Sequence, residues 1–132
     1  MQRLKLLLDS NIVIALMNMH QGGAARLHDH EPGSVAISVI VLQELIYGAH
    51  KSQRVVHNLQ KIGQLQFPVL DFTPLDAETA GRIRAELAAI GRPIGPYDAL
   101  IAAQALTRNL TLVTHNTREF IRVPGLQVED WL

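Results

Sequence analysis

The sequence predicts an α/β fold built on a short central parallel sheet. Three observations carry that expectation. The first is the apolar run Leu4–Leu8, which stops abruptly at Asp9-Ser10-Asn11. A continuous apolar run bounded by turn formers suits a strand buried on both faces, as in a parallel sheet. The second is that further short runs of this kind alternate with stretches whose apolar residues recur at helical spacing. The third is the segment from Pro96 to Thr107, where Asp98 is the single charge before Arg108. A helix that is apolar nearly all round is a buried helix, and Pro96 suits its first position, where a missing N–H costs nothing.

The elements follow in order. Asn11 to Met19 has helical spacing, with Ser10 or Asn11 as a plausible cap. His20–Gly23 reads as a loop, 24–30 as a short helix and Glu31-Pro32-Gly33 as a turn. Val35–Ser38 is a second strand and Val39–Lys51 a helix with little polar surface. Residues 52–65 form an amphipathic helix with Val55, Val56, Leu59, Ile62 and Leu65 on one stripe. Val69–Phe72 is a third strand. Thr73 caps, and Pro74 opens, a helix to about Ile90. After the connector 91–94 comes the Asp98 helix, ended by Asn109. Thr111–Thr114 is a fourth strand, and Pro124-Gly125 turns the chain into a last one at Leu126–Val128. There is no repeat or linker, so residues 1–132 are expected to form one domain.

Composition narrows the function. The chain has 132 residues, 48% of them hydrophobic, enough to build one core. No apolar stretch is long enough to span a membrane, and Leu6-Leu7-Leu8 is too short for a signal-peptide core. The absence of cysteine removes disulfides and thiolate metal sites and fits a cytoplasmic protein. The formal net charge is zero, so affinity for nucleic acid cannot come from bulk positive charge. Any such contact has to be local or shared with a second subunit. Aromatic residues, at 5%, argue against extensive base stacking.

The acids point to chemistry. Asp9 ends the first strand, and ligands of open α/β sheets bind outside the carboxyl ends of the strands. Glu44 sits mid-way along an apolar helix, sharing its face with Val41 and Gly48. Asp98 lies in the first turn of the buried helix, where a charge is costly unless paired or metal-bound. Asn116 and Glu119 follow the fourth strand. Taken singly, Asp9 reads as a helix cap and Asp98 as an acid stabilised by a helix dipole. Gathered at one sheet edge, such carboxylates repel one another and resist desolvation, and a divalent cation relieves that repulsion. All-oxygen ligands select a hard ion, Mg²⁺ or Mn²⁺. The six histidines show no zinc-site spacing. Ser10, Asn11 and Thr114 lie beside the acids and are candidates for holding outer-shell waters.

Four segments in order carry a resemblance: Leu-Leu-Asp-Ser-Asn-Ile-Val-Ile at 7–14, Leu-Gln-Glu-Leu-Ile-Tyr-Gly-Ala at 42–49, Ile-Gly-Pro-Tyr-Asp-Ala-Leu-Ile-Ala-Ala at 94–103 and Leu-Val-Thr-His-Asn-Thr-Arg-Glu-Phe at 112–120. Together they resemble the PIN-domain ribonucleases, and more narrowly the VapC toxins of bacterial toxin–antitoxin pairs, from end to end. The resemblance implies a three-layer α/β/α fold and Mg²⁺- or Mn²⁺-dependent endonucleolytic cleavage of RNA, with tRNA a frequent substrate. It implies a VapB-type antitoxin whose tail lies in the active-site groove and presents a basic side chain, a homodimer, and a toxin–antitoxin assembly on DNA. Asp9, Glu44 and Asp98 match the family's acidic core and are the expected metal ligands. Many relatives carry an Asp where this chain has Asn116. Glu119 stands either for the missing carboxylate or as a structural residue. Arg92, Arg118, Lys51 and His115 lie near the motifs and are candidates for RNA contact. Two other readings compete. A phosphatase forming an aspartyl-phosphate on Asp9 wants a second Asp where Asn11 stands. A catalytically weak PIN fold kept as an interaction module would act through antitoxin binding and autoregulation.

Overall fold

The computed structural model describes residues 3–132. Five parallel strands form one sheet: β1 (Leu6–Leu8), β2 (Val35–Ser38), β3 (Val69–Leu70), β4 (Thr111–Val113) and β5 (Val128–Glu129). Their spatial order is β3-β2-β1-β4-β5, with β1 at the centre and Leu8 level with both Ile37 and Val113. β1 and β2 are buried at every residue, which is why they read as uninterrupted apolar runs.

The helices are α1 (Ser10–Met17), α2 (Gln21–His28), α3 (Val39–Lys51), α4 (Val55–Gly63), α5 (Pro74–Ala89), α6 (Pro96–Thr107) and α7 (Thr117–Phe120). The chain moves outward from β1 to β3 and then returns across the sheet to β4. Right-handed crossovers therefore place α1–α4 on one face and α5–α6 on the other. The contacts agree: α1 packs on α2 and α3, α3 on α4, and α5 on α6. Strand order reverses between β1 and β4, and the carboxyl end of such a switch point is an open crevice.

Several local expectations need correction. α1 begins one residue earlier than expected, because Asp9 is itself the cap and accepts from the Ser10 N–H. α2 starts at Gln21, so Gly22 and Gly23 are helical and not loop. The His20 imidazole caps the Gly23 N–H at 2.9 Å and supplies the start signal that the glycines hide. β3 stops at Leu70 and the last strand lies at Val128–Glu129, later than expected. Val56 is exposed, so the α4 stripe is narrower than its apolar pattern suggests. The short α7 was not foreseen. By contrast β2 and α3 match to the residue, and Ser38 joins them by accepting from the Ile40 N–H at 2.9 Å.

α6 is buried as expected, with Ala99, Ile101, Ala102, Ala103, Gln104 and Ala105 all in the interior. Its far end is held by a polar cluster. Arg108 donates to both oxygens of the buried Asp76, at 2.7 and 3.0 Å, and Thr107 donates to the same carboxylate. Burial alone would raise Asp76, but the bonds from Arg108, Thr107 and Thr73 overcome it and hold the carboxyl down at about 2. Near the carboxyl terminus, the buried Trp131 stacks on His30, with ring centroids 5.7 Å apart. No described helix is long and apolar enough to cross a membrane.

Candidate active site

The crevice at the carboxyl ends of β1 and β4 gathers the acids. Asp9, 4% exposed, leaves β1 directly. One of its oxygens accepts from the Ser10 N–H at 2.8 Å and the other from the Thr114 hydroxyl at 2.7 Å. Thr114 leaves β4 in the same way, and its hydroxyl oxygen accepts from the Asn116 N–H at 3.0 Å. A hydroxyl has one proton and two lone pairs, so Thr114 ties both strand ends together while orienting Asp9. Asn11 adds a brace: its carbonyl accepts from the His115 N–H at 3.0 Å, and its amide lies 3.4 Å from Asp9. The Ser10 hydroxyl reaches the other way and donates to Glu44 at 3.2 Å, joining α1 to α3.

Asp98 comes from the opposite layer. Gly95 precedes α6 without a side-chain cap, and Asp98 sits in the first turn. α6 also packs on α3, which brings the Asp98 and Glu44 elements together. Every resolved influence on Asp98 disfavours its charge. Desolvation comes first, then the negative charges of Asp9, Glu119 and Glu44, and the carboxyl is pushed up to about 6. Burial also raises Asp9, against the hydrogen bonds from Thr114, Ser10 and Asn11. Glu44 is raised by burial and then by the charge of Asp9. The four acids therefore share one electrostatic neighbourhood, and helix-dipole stabilisation alone does not account for Asp98.

The remaining expected residues separate. Asn116 is exposed, and it enters the network through its backbone N–H. Glu119 accepts from the Gly95 N–H at 3.4 Å and pairs with Arg122 at 3.0 Å. His115 is exposed at the rim with Nδ1 3.1 Å from Asp130. Arg92 and Arg118 are exposed on the segments flanking Glu119. Lys51 lies over the Tyr47 ring, 5.2 Å from its centroid, at the far end of α3 from Glu44. Arg122 was not singled out in the sequence; its i,i+3 spacing from Glu119 was the available signal.

Among the described residues, no three histidine or acidic side chains are set closely enough to hold a metal ion as they stand. The donor set nevertheless fits a hard cation that keeps most of its waters and takes one or two carboxylates. Its oxygens are desolvated and mutually repelling, and no cationic side chain is among the influences on Asp98, Asp9 or Glu44.

A family model described as the PIN domain matches residues 6–126. The chain belongs to the PIN-domain family. Relatives of this PIN domain include the tRNA(fMet)-specific endonuclease VapC of Shigella flexneri, 45% identical over 130 residues, or 97% of this chain and 98% of that protein. Among solved structures, the DNA-bound VapBC from Salmonella typhimurium superposes with a TM-score of 0.87 at 42% identity, covering 98% of this chain and 99% of that one. VapBC2 from Rickettsia felis, bound to a DNA fragment from their promoter, gives a TM-score of 0.88 at 36% identity, over 98% and 100% of the two chains. The PIN fold and its three-layer α/β/α order are thus shared over nearly the whole chain.

Among the described residues, two cavities stand out. One, of about 530 Å³, is lined by Leu27, His30, Pro32, Leu65 and Phe67 among others. It contains no acid and lies where β2 and β3 begin, away from the carboxyl edge. The other is a groove of about 260 Å³ between α1, α3 and α4, with an apolar floor of Ile14, Met17, Leu45, Gly48 and Ile62 and the polar Asn18, Asn58, Lys61 and Glu44 also lining it. Ile14, beside it, is 47% exposed.

Proposed function

We propose that this PIN domain is a metal-dependent endoribonuclease toxin that cuts cytoplasmic tRNA and is held inactive by a VapB-type antitoxin. The observation that carries the reading is the convergence of Asp9, Glu44 and Asp98 at one sheet edge, where burial and neighbouring negative charge raise the Asp98 carboxyl to about 6. Like charges brought together in a desolvated crevice cost stability unless a cation uses them. The names of the relatives supply the substrate class and the partner.

Asp9 and Asp98 would hold a Mg²⁺ or Mn²⁺ ion directly, with Glu44 acting directly or through a water. That ion supplies Lewis-acid polarisation of the scissile phosphate and a lowered pKa for bound water. Thr114 and the Ser10 N–H donate to the two oxygens of Asp9 and so fix its rotation. Ser10 donates to Glu44 and so ties α1 to α3, and that carboxylate would orient the attacking water and accept its proton. Asn116 adds polarity at the rim without charge. The chain's zero net charge makes a homodimer the natural platform for RNA, since two copies can share one phosphate track.

The groove between α1, α3 and α4 suits an apolar segment of the antitoxin, and a basic side chain at its end would meet Glu44. Such a partner neutralises the acids in the way that a cation does, which explains inhibition without a change of fold. In a toxin–antitoxin assembly the antitoxin would carry the DNA contacts. A catalytically idle PIN module is the second reading, favoured by the uncharged Asn116 alone.

The test is cleavage of purified tRNAs by protein stripped of its partner, in Mg²⁺. Cuts in initiator tRNA ahead of elongator tRNAs are expected. A full tRNA panel left intact by correctly folded protein would support the idle module instead.

A further inference from the structure

Between α5 and α6 the chain runs through Arg92, Pro93, Ile94 and Gly95. This connector has little backbone bonding of its own. Pro93 and Pro96 have no N–H to donate, and α6 starts at Gly95 without a side-chain cap. Ile94 anchors the segment by burial. The Arg92 N–H is bonded to the Leu87 carbonyl at 2.9 Å, and the further restraint comes from α7 and the residues just after it. Arg122 donates from Nη1 to the Arg92 carbonyl at 2.7 Å and from Nη2 to the Pro93 carbonyl at 3.3 Å. Its Nε donates to the Glu119 carbonyl at 3.1 Å, and Nη2 lies 3.0 Å from Glu119 Oε1. That same Oε1 accepts from the Gly95 N–H. The Arg122 side chain is only 19% exposed.

We infer that Arg122 is a positioning residue for Asp98, clasping Glu119 and the 92–95 connector so that the first turn of α6 is held in place. The inference rests on the proposed nuclease reading and extends it to residues outside the acidic core. It also assigns Glu119. That carboxylate is engaged by a guanidinium and a backbone amide, so it serves as an external cap for α6 and not as a metal ligand. The planar fork matters, because one guanidinium satisfies two connector carbonyls and a carboxylate at once. A lysine is a point charge that keeps the pairing with Glu119 and loses the fork. Displacement of a reacting group by about 1 Å is enough to cost on the order of 100-fold in rate. The clasped connector ends at Gly95, three residues before Asp98, so the clasp has leverage on the chemistry.

The experiment measures kcat and KM on tRNA, and Mn²⁺ binding by calorimetry, for the wild type, Arg122→Ala, Arg122→Lys, Glu119→Gln and Asp98→Asn. Arg122→Ala is expected to lower kcat by about 10- to 100-fold, to leave KM within about 3-fold, and to keep Mn²⁺ binding. Arg122→Lys recovers part of kcat. Glu119→Gln keeps an oxygen for Gly95 and Arg122 and binds Mn²⁺ like the wild type, whereas Asp98→Asn does not. Loss of Mn²⁺ binding in Glu119→Gln would overturn the assignment by making Glu119 a ligand. A raised KM with wild-type kcat in Arg122→Ala would make Arg122 an RNA contact and overturn it too. If Arg122→Ala fails to fold, Arg122→Lys and Glu119→Gln decide. If the wild type neither binds Mn²⁺ nor cuts tRNA, the nuclease reading falls first and the positioning role falls with it.

Discussion

Thr114 donates its hydroxyl to Asp9 at 2.7 Å, fully buried, across the two strand ends where the sheet order reverses. The bond makes β4 a support for an acid that β1 carries, 105 residues apart in sequence. Replacing it tests the support. Thr114→Val keeps the shape and removes the donor. Urea unfolding at pH 7 is expected to show a loss of about 1.5–3 kcal/mol, the range for a hydrogen bond to a charged group. At lower pH the loss shrinks, because burial raises the Asp9 carboxyl and favours its protonated form. An equal loss at pH 7 and at lower pH would show that Asp9 is neutral throughout.

Asp98 sets a pH dependence whose sign follows from its raised carboxyl. Folded, Asp98 titrates at about 6 against an ordinary value of 3.8. The folded state therefore binds the extra proton between those values, and stability of the metal-free protein falls as pH rises through that window. Asp98→Asn removes the effect. In chelator at pH 7 the variant is expected to be more stable than the wild type by on the order of 1 kcal/mol, after allowance for solvent screening of a half-buried group. Near pH 3.5 the difference should vanish. Thermal melts across pH decide it.

The Asp76–Arg108 pair tests whether stability and chemistry separate. Asp76 is fully buried and held at about 2 against 3.8 unfolded, burial being outweighed by its bonds to Arg108, Thr107 and Thr73. Its contribution is complete above about pH 4 and is lost as pH falls toward 2. Arg108→Ala leaves a buried carboxylate without its cation and should cost about 3 kcal/mol, with kcat on tRNA kept at temperatures where the protein stays folded. A large drop in kcat at full folding would mean that the far end of α6 steers Asp98.

Gly48 gives a probe of the groove. A Cβ there meets nothing within 4 Å, and Gly48 lines the groove beside Leu45 and Ile62. Gly48→Leu should stabilise α3 by about 0.5–1 kcal/mol through helix propensity. It should also weaken antitoxin binding by at least about 10-fold, since a filled groove has to exclude the partner's side chains. Unchanged antitoxin affinity in a pull-down titration would move the partner elsewhere.

What the sequence revealed and what it hid follow from range. β2 and α3 were legible to the residue because their signals are local: an apolar run, a serine cap and a helix rich in apolar residues. Asp9, Glu44 and Asp98 were legible because each is a charge placed where its own element is apolar. α2 was misread because an imidazole does the capping, and glycines in a first turn look like a loop. Val56 is apolar yet exposed, since apolar spacing cannot say which side of a stripe a neighbour covers. Arg122 was missed because two of its partners are backbone carbonyls 29 and 30 residues away. No residue type announces such a contact. The inference about Glu119 likewise rests on Gly95 and Arg122, which only the fold brings to it.

The central claim is that acids from β1, α3 and α6 hold a divalent cation for RNA cleavage. The most direct measurement is the tRNA cleavage rate of partner-free protein against Mg²⁺ concentration, in the wild type and in Asp98→Asn. The account predicts a saturable rise in the wild type, no cleavage in chelator, and a fall of at least about 100-fold in Asp98→Asn with tRNA binding retained. Cleavage that persists in chelator, or that survives in Asp98→Asn, would contradict it.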